Sequence, residues 1–537
     1  ACLPCPPYPE GGKWYFPVAH QAGGNLDPDT VFTWLKTSLK AKEYVGANFG
    51  YDLEWLETYG ICPEGKMIDV QVAEALIDEE SASFSLNALC KKYLGRGKSE
   101  DLLKAAANAY GVDPKKEMWK LPSYYVGPYA EMDALDVLEI YEKQAVIHKK
   151  EKLTKVFDLE CEVLPLLVKM RKLGVRVNVE KAKISSKEWG DQIKSLQKSL
   201  DNEHNMHINV NSPKDLEKVA IMAGIKYPKT DKGNPSFDKT YLKRSTNGSM
   251  KTVAKIRNMK KLKADFVDKL IVGHSYKGRI HSVYNQTARD DSDGARIGTA
   301  TGRFSCTKPN LQQVPSRDPI LAPIIRGFFI ADAKKKWAKL DYSQQEPRIL
   351  VHYANLIGFK GAAEAAEAYR TDKSMDYYQY VADKAGLERK PAKDLTLGIF
   401  YGEGKRKIAI DLGMSVEEAM ALRSGFENTN PYVKDIYLTP VRLEQAQAKW
   451  PDHNLQRAFT YKALNALIQG SAADMTKAAM LQVYDKMGLV PHMQVHDELN
   501  YSVESLDQAQ EIQWHMEHCV DITVPMLADL DYGDTWK

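Results

Sequence analysis

The chain has 537 residues, 27% of them charged, and a formal net charge of +3. That length is too great for one hydrophobic core and predicts at least two domains. No apolar run approaches the roughly 20 residues that cross a bilayer and no signal-peptide pattern opens the chain, so no membrane partner is expected. The seven cysteines are scattered, odd in number and without paired spacing, which predicts a reducing cytoplasm. Cys2 and Cys5 form a lone Cys-x-x-Cys with no second pair to complete a metal site. The first residue is Ala1 rather than Met, which predicts a processed or trimmed chain.

In chain order, residues 1 to about 150 read as strands followed by alternating helices and loops. Lys13-Trp14-Tyr15-Phe16-Pro17-Val18 and Glu43-Tyr44-Val45-Gly46-Ala47 are strand-like, and Asp52 to Leu56 opens a helix. Asp27-Pro28-Asp29 stands ahead of an apolar helical run and predicts a helix cap. From about Val156, Leu159, Val163, Leu166, Leu167 and Met170 recur at helical spacing, and Gly174 closes that helix. Residues 180 to 270 continue helical, broken by a polar loop at 229–235. Within them Lys243, Arg244, Lys251, Lys255, Arg257, Lys260, Lys261 and Lys263 crowd together with few acids. Such a segment suits a phosphate backbone or a solvated helix face. Arg279 to Tyr284 returns to strand, with an acidic surface loop, Asp290-Asp291-Ser292-Asp293-Gly294, behind it. Residues 352 to 463 are mostly helical, and the stretch from Asn465 combines one helix with a hairpin. No internal repeat is visible.

Three motifs carry chemistry. Lys339-Leu340-Asp341-Tyr342-Ser343-Gln344-Gln345-Glu346-Pro347-Arg348 and Met493-Gln494-Val495-His496-Asp497-Glu498 each place an aspartate at the end of a short strand-like run. Two such carboxylates, brought side by side, make a site for two divalent metal ions. Glu498 adjoins Asp497, but strand neighbours face opposite ways, which ranks it as an accessory catalytic residue. Between the aspartates, Arg389, Lys393, Leu397 and Tyr401 fall at i, i+4, i+8 and i+12 and share one helix face. Twelve residues span about 18 Å, enough to reach from a triphosphate tail to a nascent base pair, and a helix N-terminus adds attraction for phosphate. Carboxylate, cationic helix, carboxylate, in that order, is the pattern of a template-directed nucleotidyl transferase. The three motifs resemble motifs A, B and C of the DNA polymerase I family (family A).

The resemblance covers nearly the whole chain and implies an α/β multidomain fold. A ribonuclease H-like 3′-5′ exonuclease-type domain would span 1–150, followed by a right-hand polymerase. Its thumb would span 151–278, a first palm segment with motif A 279–351, fingers with motif B 352–463, and a second palm segment with motif C 464–537. Val524 to Trp536 resembles the family's palm-closing strand, which predicts a complete C-terminus. The implied activity is addition of dNMP to a primer 3′-hydroxyl, using two Mg²⁺ ions (or Mn²⁺) held by Asp341, Asp497 and Tyr342. The implied partners are primer-template DNA and dNTPs, bound by a monomer in the host bacterial cytoplasm if the enzyme is phage-encoded. Arg389 and Lys393 would grip the phosphates, with Lys393 also protonating pyrophosphate. Leu397 would lie over sugar and base, Tyr401 near the templating position, and Gln344 would join the dNTP set. Glu346 resembles the steric gate against a ribose 2′-hydroxyl, or is a helix-start Glu ahead of Pro347. Segments 299–305, 310–315 and 465–470 also match the family. Arg303 and Gln469 would donate to minor-groove acceptors that occupy similar places in every correct pair. Gln312, Arg317, Asn465, His496, Arg257 and Lys261 would complete the primer-template set. Gln345 and Pro347 look more like phage polymerases than bacterial ones, and Leu397 stands where the family usually carries Phe or Tyr.

Ala47-Asn48-Phe49-Gly50-Tyr51-Asp52 resembles the second exonuclease motif, Tyr129-Ala130-Glu131-Met132-Asp133 the third, and Asp69 fits a neighbouring family position. The first motif, Asp-x-Glu, belongs before Lys13, where this chain has only Glu10. Asp52 and Asp133 alone would leave each ion mostly to water, so an inactive, fold-retaining domain is expected. The open alternatives are a single-subunit RNA polymerase, a silent DNA-binding scaffold, a stand-alone 3′ nuclease and a polymerase with residual 3′-5′ exonuclease activity.

Overall fold

The structure, a computed structural model, describes residues 2–5, 8–40, 43–290, 296–316, 318, 321–400, 403–437 and 460–537. The chain begins with an antiparallel hairpin, β1 (Cys2–Cys5) and β2 (Tyr8–Lys13). The strand expected at 13–18 does not form beyond Lys13. Pro17 has no N–H to give a ladder, and Phe16 packs on Trp34 instead, ring centroids 5.2 Å apart. Helix α1 (Pro28–Ser38) starts where Asp27-Pro28-Asp29 predicts, the Asp27 carboxylate accepting from the Thr30 N–H at 2.8 Å.

Strand β3 (Glu43–Gly46) leads into α2 (Phe49–Thr58), which begins three residues before the expected Asp52. Strand β4 (Lys66–Asp69) then pairs in parallel with β3. Helix α3 (Ser123–Lys150) packs against β3 and the hairpin, and α4 (Thr154–Leu173) against α2 and β4. Helix α4 buries Val163, Leu166, Leu167 and Met170, the set that helical spacing marks. Gly174 ends it at φ +62°, where a Cβ would sit 2.7 Å from the His281 ring and 2.9 Å from the Ile280 carbonyl. Both backbone conformation and space therefore demand glycine there.

Helices α5 (Val179–His204) and α6 (Gly248–Leu262) bury Trp189, Ile193, Val253 and Ile256 in one shared core. The single strand expected over 279–284 is split in two. Strand β5 (Arg279–Ile280) pairs with 175–176, whereas β6 (Val283–Asn285) pairs with β7 (Ser305–Thr307), so two partners pull the chain in different directions.

Strand β8 (Lys336–Tyr342) is followed by helices α7 (Gln345–Ile357), α8 (Tyr377–Ala385), α9 (Arg389–Phe400) and α10 (Thr460–Met487). Then come β9 (Met493–Val495), β10 (Glu498–Val503), α11 (Leu506–His518) and β11 (Ala528–Gly533). These strands form one antiparallel sheet in the order β9-β10-β8-β11. Alternation turns Ala338, Leu340 and Tyr342 of β8 into the core and sends Asp341 to the other face. The end of the chain holds two helices rather than one: α11 covers the sheet with buried Ile512 and Met516. A second apolar core, including Leu350, Tyr369, Tyr377, Phe426 and Tyr432, serves the helical segment inserted between β8 and β9.

Candidate active site

Asp341 is the penultimate residue of β8. Asp497 sits in the two-residue turn between β9 and β10, where Val495 pairs with Glu498 and His496 takes φ +61°. The Tyr342 N–H donates to the Asp497 carbonyl at 3.3 Å, which draws the end of β8 against that turn. Burial, then the charges of Asp497 and Glu498, pushes Asp341 up to about 8. Asp497 and Glu498 are raised as well, burial being the largest cause in each. Asp341 Oδ1 is buried without a hydrogen-bond partner. Sheltered like charges of this kind are costly until a cation joins them.

Strand alternation does not set Glu498 apart in the way expected, because Asp497 lies in the turn and not on the strand. In the ladder it is Glu498 that stands opposite Asp341. Its carboxylate accepts from Trp536 Nε1 at 2.6 Å and Asn500 Nδ2 at 2.7 Å, with Arg326 at 3.8 Å, so it is already held. Asp529, which the motifs do not single out, pairs with Asp341 from the other flanking strand. Among the described residues no three His, Cys, Asp or Glu side chains form a closed metal cage. The donor set fits hard cations that use one or two carboxylates and complete their shell from substrate phosphates and water. The Tyr342 phenol turns inward and donates to the Met516 carbonyl at 2.6 Å, so any metal contact from that residue falls to its main chain.

Glu346 lies in the first turn of α7, and Arg303 Nη2 donates to its Oε1 at 2.6 Å. Helix start and proximity to Arg303 hold together. Gln344 is engaged elsewhere than the open site: its side chain accepts from the Tyr377 N–H at 2.8 Å and donates to the Met375 carbonyl at 3.2 Å. A Cβ on Gly470 of α10 would lie 3.4 Å from the Thr301 carbonyl, so the segments bearing Gln469 and Arg303 face each other. Gln312 Nε2 donates to Gln494 Oε1 at 2.9 Å, and the Gln494 amide in turn bonds the His496 carbonyl. His496 is exposed, and Asn465 Oδ1 is buried without a partner. Arg257, expected among the primer-template residues, is engaged by the protein itself. Its guanidinium donates to the Val210 and Phe237 carbonyls at 2.6 Å each and so holds loops together, while Lys261 remains exposed. Arg317 and Tyr401 lie outside the described residues.

Helix α9 buries Ala392, Leu395, Thr396 and Ile399 and leaves Arg389, Lys393 and Leu397 on the other face, as their spacing predicts. Arg389 Nε meets Asp376 Oδ2 at 2.5 Å. Arg389 and Lys393 lie 5.8 and 5.3 Å from the centre of the Tyr378 ring. The Tyr378 hydroxyl is raised by burial first and then by the charge of Glu346. Nothing in the sequence marked Tyr378.

In the N-terminal domain both Asp69 oxygens are taken by main-chain amides, from Phe49 at 2.8 Å and Gln71 at 2.9 Å. Asp69 thereby ties the start of α2 to the end of β4. Asn48 takes φ +54° and Asp52 is exposed. The third-motif pair shares one cation: Lys98 Nζ meets Asp133 Oδ2 and Tyr129 Oη, each at 2.7 Å. Lys98 was not singled out in the sequence, since a lone lysine carries no motif.

A parallel βαβ unit with exonuclease-type motifs, then an antiparallel sheet that brings Asp341 and the Asp497 turn together around an inserted cationic helix, defines a polymerase with an exonuclease-type domain. Residues 179–537 match the model of DNA polymerase family A and residues 12–147 that of a 3′-5′ exonuclease. The chain belongs to DNA polymerase family A and is a DNA-directed DNA polymerase. It is 33% identical to a DNA-directed DNA polymerase of Pseudomonas phage M6, over 98% of this chain and 88% of that protein. It is 27% identical to DNA polymerase DpoZ of Acinetobacter phage SH-Ab 15497, over 97% and 93% of the two chains. DNA polymerase I of Pseudomonas aeruginosa is 28% identical over 98% of this chain and 60% of its own. The POL domain of Pol1 from M. smegmatis, solved with DNA primer-template and dNTP, shares the fold. Its TM-score is 0.75 at 24% identity, covering 95% of this chain and 89% of that one.

Proposed function

We propose that this polymerase extends a DNA primer by a two-metal route at Asp341 and Asp497, and that its exonuclease-type domain is inactive. One observation carries the first part: Asp341, raised to about 8 beside Asp497, keeps a buried oxygen without any partner. Two Mg²⁺ ions, with Mn²⁺ as substitute, would be held by Asp341, Asp497 and the Tyr342 main chain, and would acidify the primer hydroxyl and neutralise the triphosphate. The chain's own groups do the rest. Arg389 exchanges the Asp376 carboxylate for a phosphate, and Lys393 joins it and gives a proton to the departing pyrophosphate. Leu397 covers sugar and base, with Tyr401 beyond it. Glu346 fills the space a 2′-hydroxyl needs, and Arg303 and Gln469 donate to the minor-groove face of the primer-terminal pair.

In this reading 151–278 is the thumb, 279–351 and 464–537 the palm, and 352–463 the fingers. The chain works as a monomer on primer-template DNA in a bacterial cytoplasm. The complex of the M. smegmatis domain with primer-template and dNTP supports that choice of partners. The inactive exonuclease rests on Lys98. Its ammonium pairs with Asp133 Oδ2 and engages Tyr129, so a metal would have to displace it, while Asp133 Oδ1 stays buried without a partner.

Primer extension tests the polymerase reading. Asp341→Ala or Asp497→Ala should abolish extension while duplex binding stays largely intact. Substantial activity of either variant under Mg²⁺ would sink the two-metal assignment, and equal rates on rNTPs and dNTPs would revive an RNA polymerase.

A further inference from the structure

Glu160 on α4 and Lys477 on α10 form an ion pair with almost no solvent contact, their side chains 3% and 1% exposed. The partners are 317 residues apart in the chain. Taking two charges out of water is costly, and apolar residues of similar volume often give equal or greater stability. What such a pair adds is direction, and its other contacts show where that direction leads. Lys477 Nζ donates to the Gly302 carbonyl at 2.7 Å and stands 5.0 Å over the Phe304 ring. Gly302 itself takes φ +80°, a conformation open chiefly to glycine. Glu160 Oε2 accepts from Gln286 Nε2 at 2.7 Å, and that nitrogen also donates to the Glu160 carbonyl at 2.8 Å. Asp474, one turn earlier on α10, adds a second carboxylate near the same ammonium. One buried lysine thus grips the residues on both sides of Arg303. Arg303 then projects to Glu346, on the helix that follows Asp341.

We infer that the Lys477–Glu160 pair is a positioning device for Arg303. It sets where the guanidinium stands against the primer-terminal base pair, and so how sharply the enzyme separates a matched from a mismatched end. This rests on the minor-groove role proposed for Arg303. Neither Lys477 nor Glu160 touches DNA in this scheme.

The test is steady-state extension of matched and mismatched primer ends by the full chain, with thermal melts alongside. The variants are Lys477→Met, the isosteric Glu160→Gln, Arg303→Ala and the Lys477→Met/Arg303→Ala double. Lys477→Met should lose about tenfold in efficiency on a matched end. That loss should fall in kcat rather than in the dNTP KM, and the matched-to-mismatched ratio should shrink. With Arg303→Ala already present, Lys477→Met should cost nothing more in extension while its effect on melting persists. Equal losses on both ends, or losses that multiply independently of Arg303, would make the pair purely structural and overturn the inference. Glu160→Gln carries the same readout if Lys477→Met does not fold. An unaltered ratio in Arg303→Ala alone would instead remove the minor-groove reading, and the inference with it.

Discussion

At residue 397 a branched aliphatic side chain occupies the helix face that also carries Arg389 and Lys393. Leucine offers the nucleotide bulk but no hydroxyl, so it cannot replace the hydrogen bond lost when a sugar lacks its 3′-oxygen. Dideoxynucleotides should therefore be poor substrates. Leu397→Tyr should improve them by about 10- to 100-fold relative to dNTPs, the worth of one hydrogen bond to a charged group. A ratio unmoved by that change would mean the register of α9 against the nucleotide is wrong. Glu346 has a second tie, the 2.6 Å bond from Arg303. Removing it both opens the space of a 2′-hydroxyl and leaves a guanidinium without this acceptor. Glu346→Ala should raise rNTP use relative to dNTP by about one to two orders of magnitude and lower dNTP efficiency as well. Measured side by side in both proteins, an identical rNTP-to-dNTP ratio would leave Glu346 as a helix-start residue.

Helix α10 shows what an element contributes when it both fills a core and packs beside the Arg303 segment. It carries Gln469 beside the Thr301 segment, and about two turns further on it buries Thr476 and Lys477. Asp474 on the same helix is pushed up to about 6, by burial first, with Lys477 opposing and Glu160 adding. The sign follows from proton binding. Between its ordinary value near 4 and about 6 the folded chain holds this proton and the unfolded chain does not, so stability falls as pH rises through that window and stays lower above it. Asp474→Asn should thus melt higher than the parent at pH 8, by up to about 3 kcal/mol of stability, and lose that advantage near pH 4. Thermal melts at the two pH values decide it. An equal difference at both would show that Asp474 is not the titrating group.

On the scale of the whole molecule, one core joins helices 154–280 to the antiparallel sheet, and a second core serves the helices inserted between β8 and β9. The inserted helical segment thus has packing of its own, apart from the core beneath the sheet that bears Asp341. The N-terminal domain has smaller apolar clusters of its own, and two of them reach α4, through Leu164 and Val168 and through Phe157 and Cys161. With Lys98 bonded to Asp133 and Tyr129, the purified chain should not degrade a single-stranded 3′ end under Mg²⁺. Degradation that disappears in Asp133→Ala would defeat this expectation.

Much of the function was legible without coordinates, because the chemistry is written in local patterns. The aspartates of motifs A and C and the four-residue spacing on α9 are properties of short segments, and the family match confirms the protein they belong to. The Asp27 cap and the Gly174 helix end were likewise local, decided by one carboxylate and one backbone conformation. The bonds from Arg257 to the Val210 and Phe237 carbonyls were not legible, because a basic run looks the same whether its guanidinium meets phosphate or the main chain. Asp497 was expected at the end of a strand, and only the pairing of Val495 with Glu498 shows that the turn between β9 and β10 carries it. Lys98, Tyr378 and the Glu160–Lys477 pair left no trace in any motif. Each depends on partners between 31 and 317 positions away or on a ring packed beneath a neighbouring helix. Sequence alone determined which groups could do the chemistry. Tertiary structure decided which of them remain free to do it, because that depends on what burial and long-range contacts have already used.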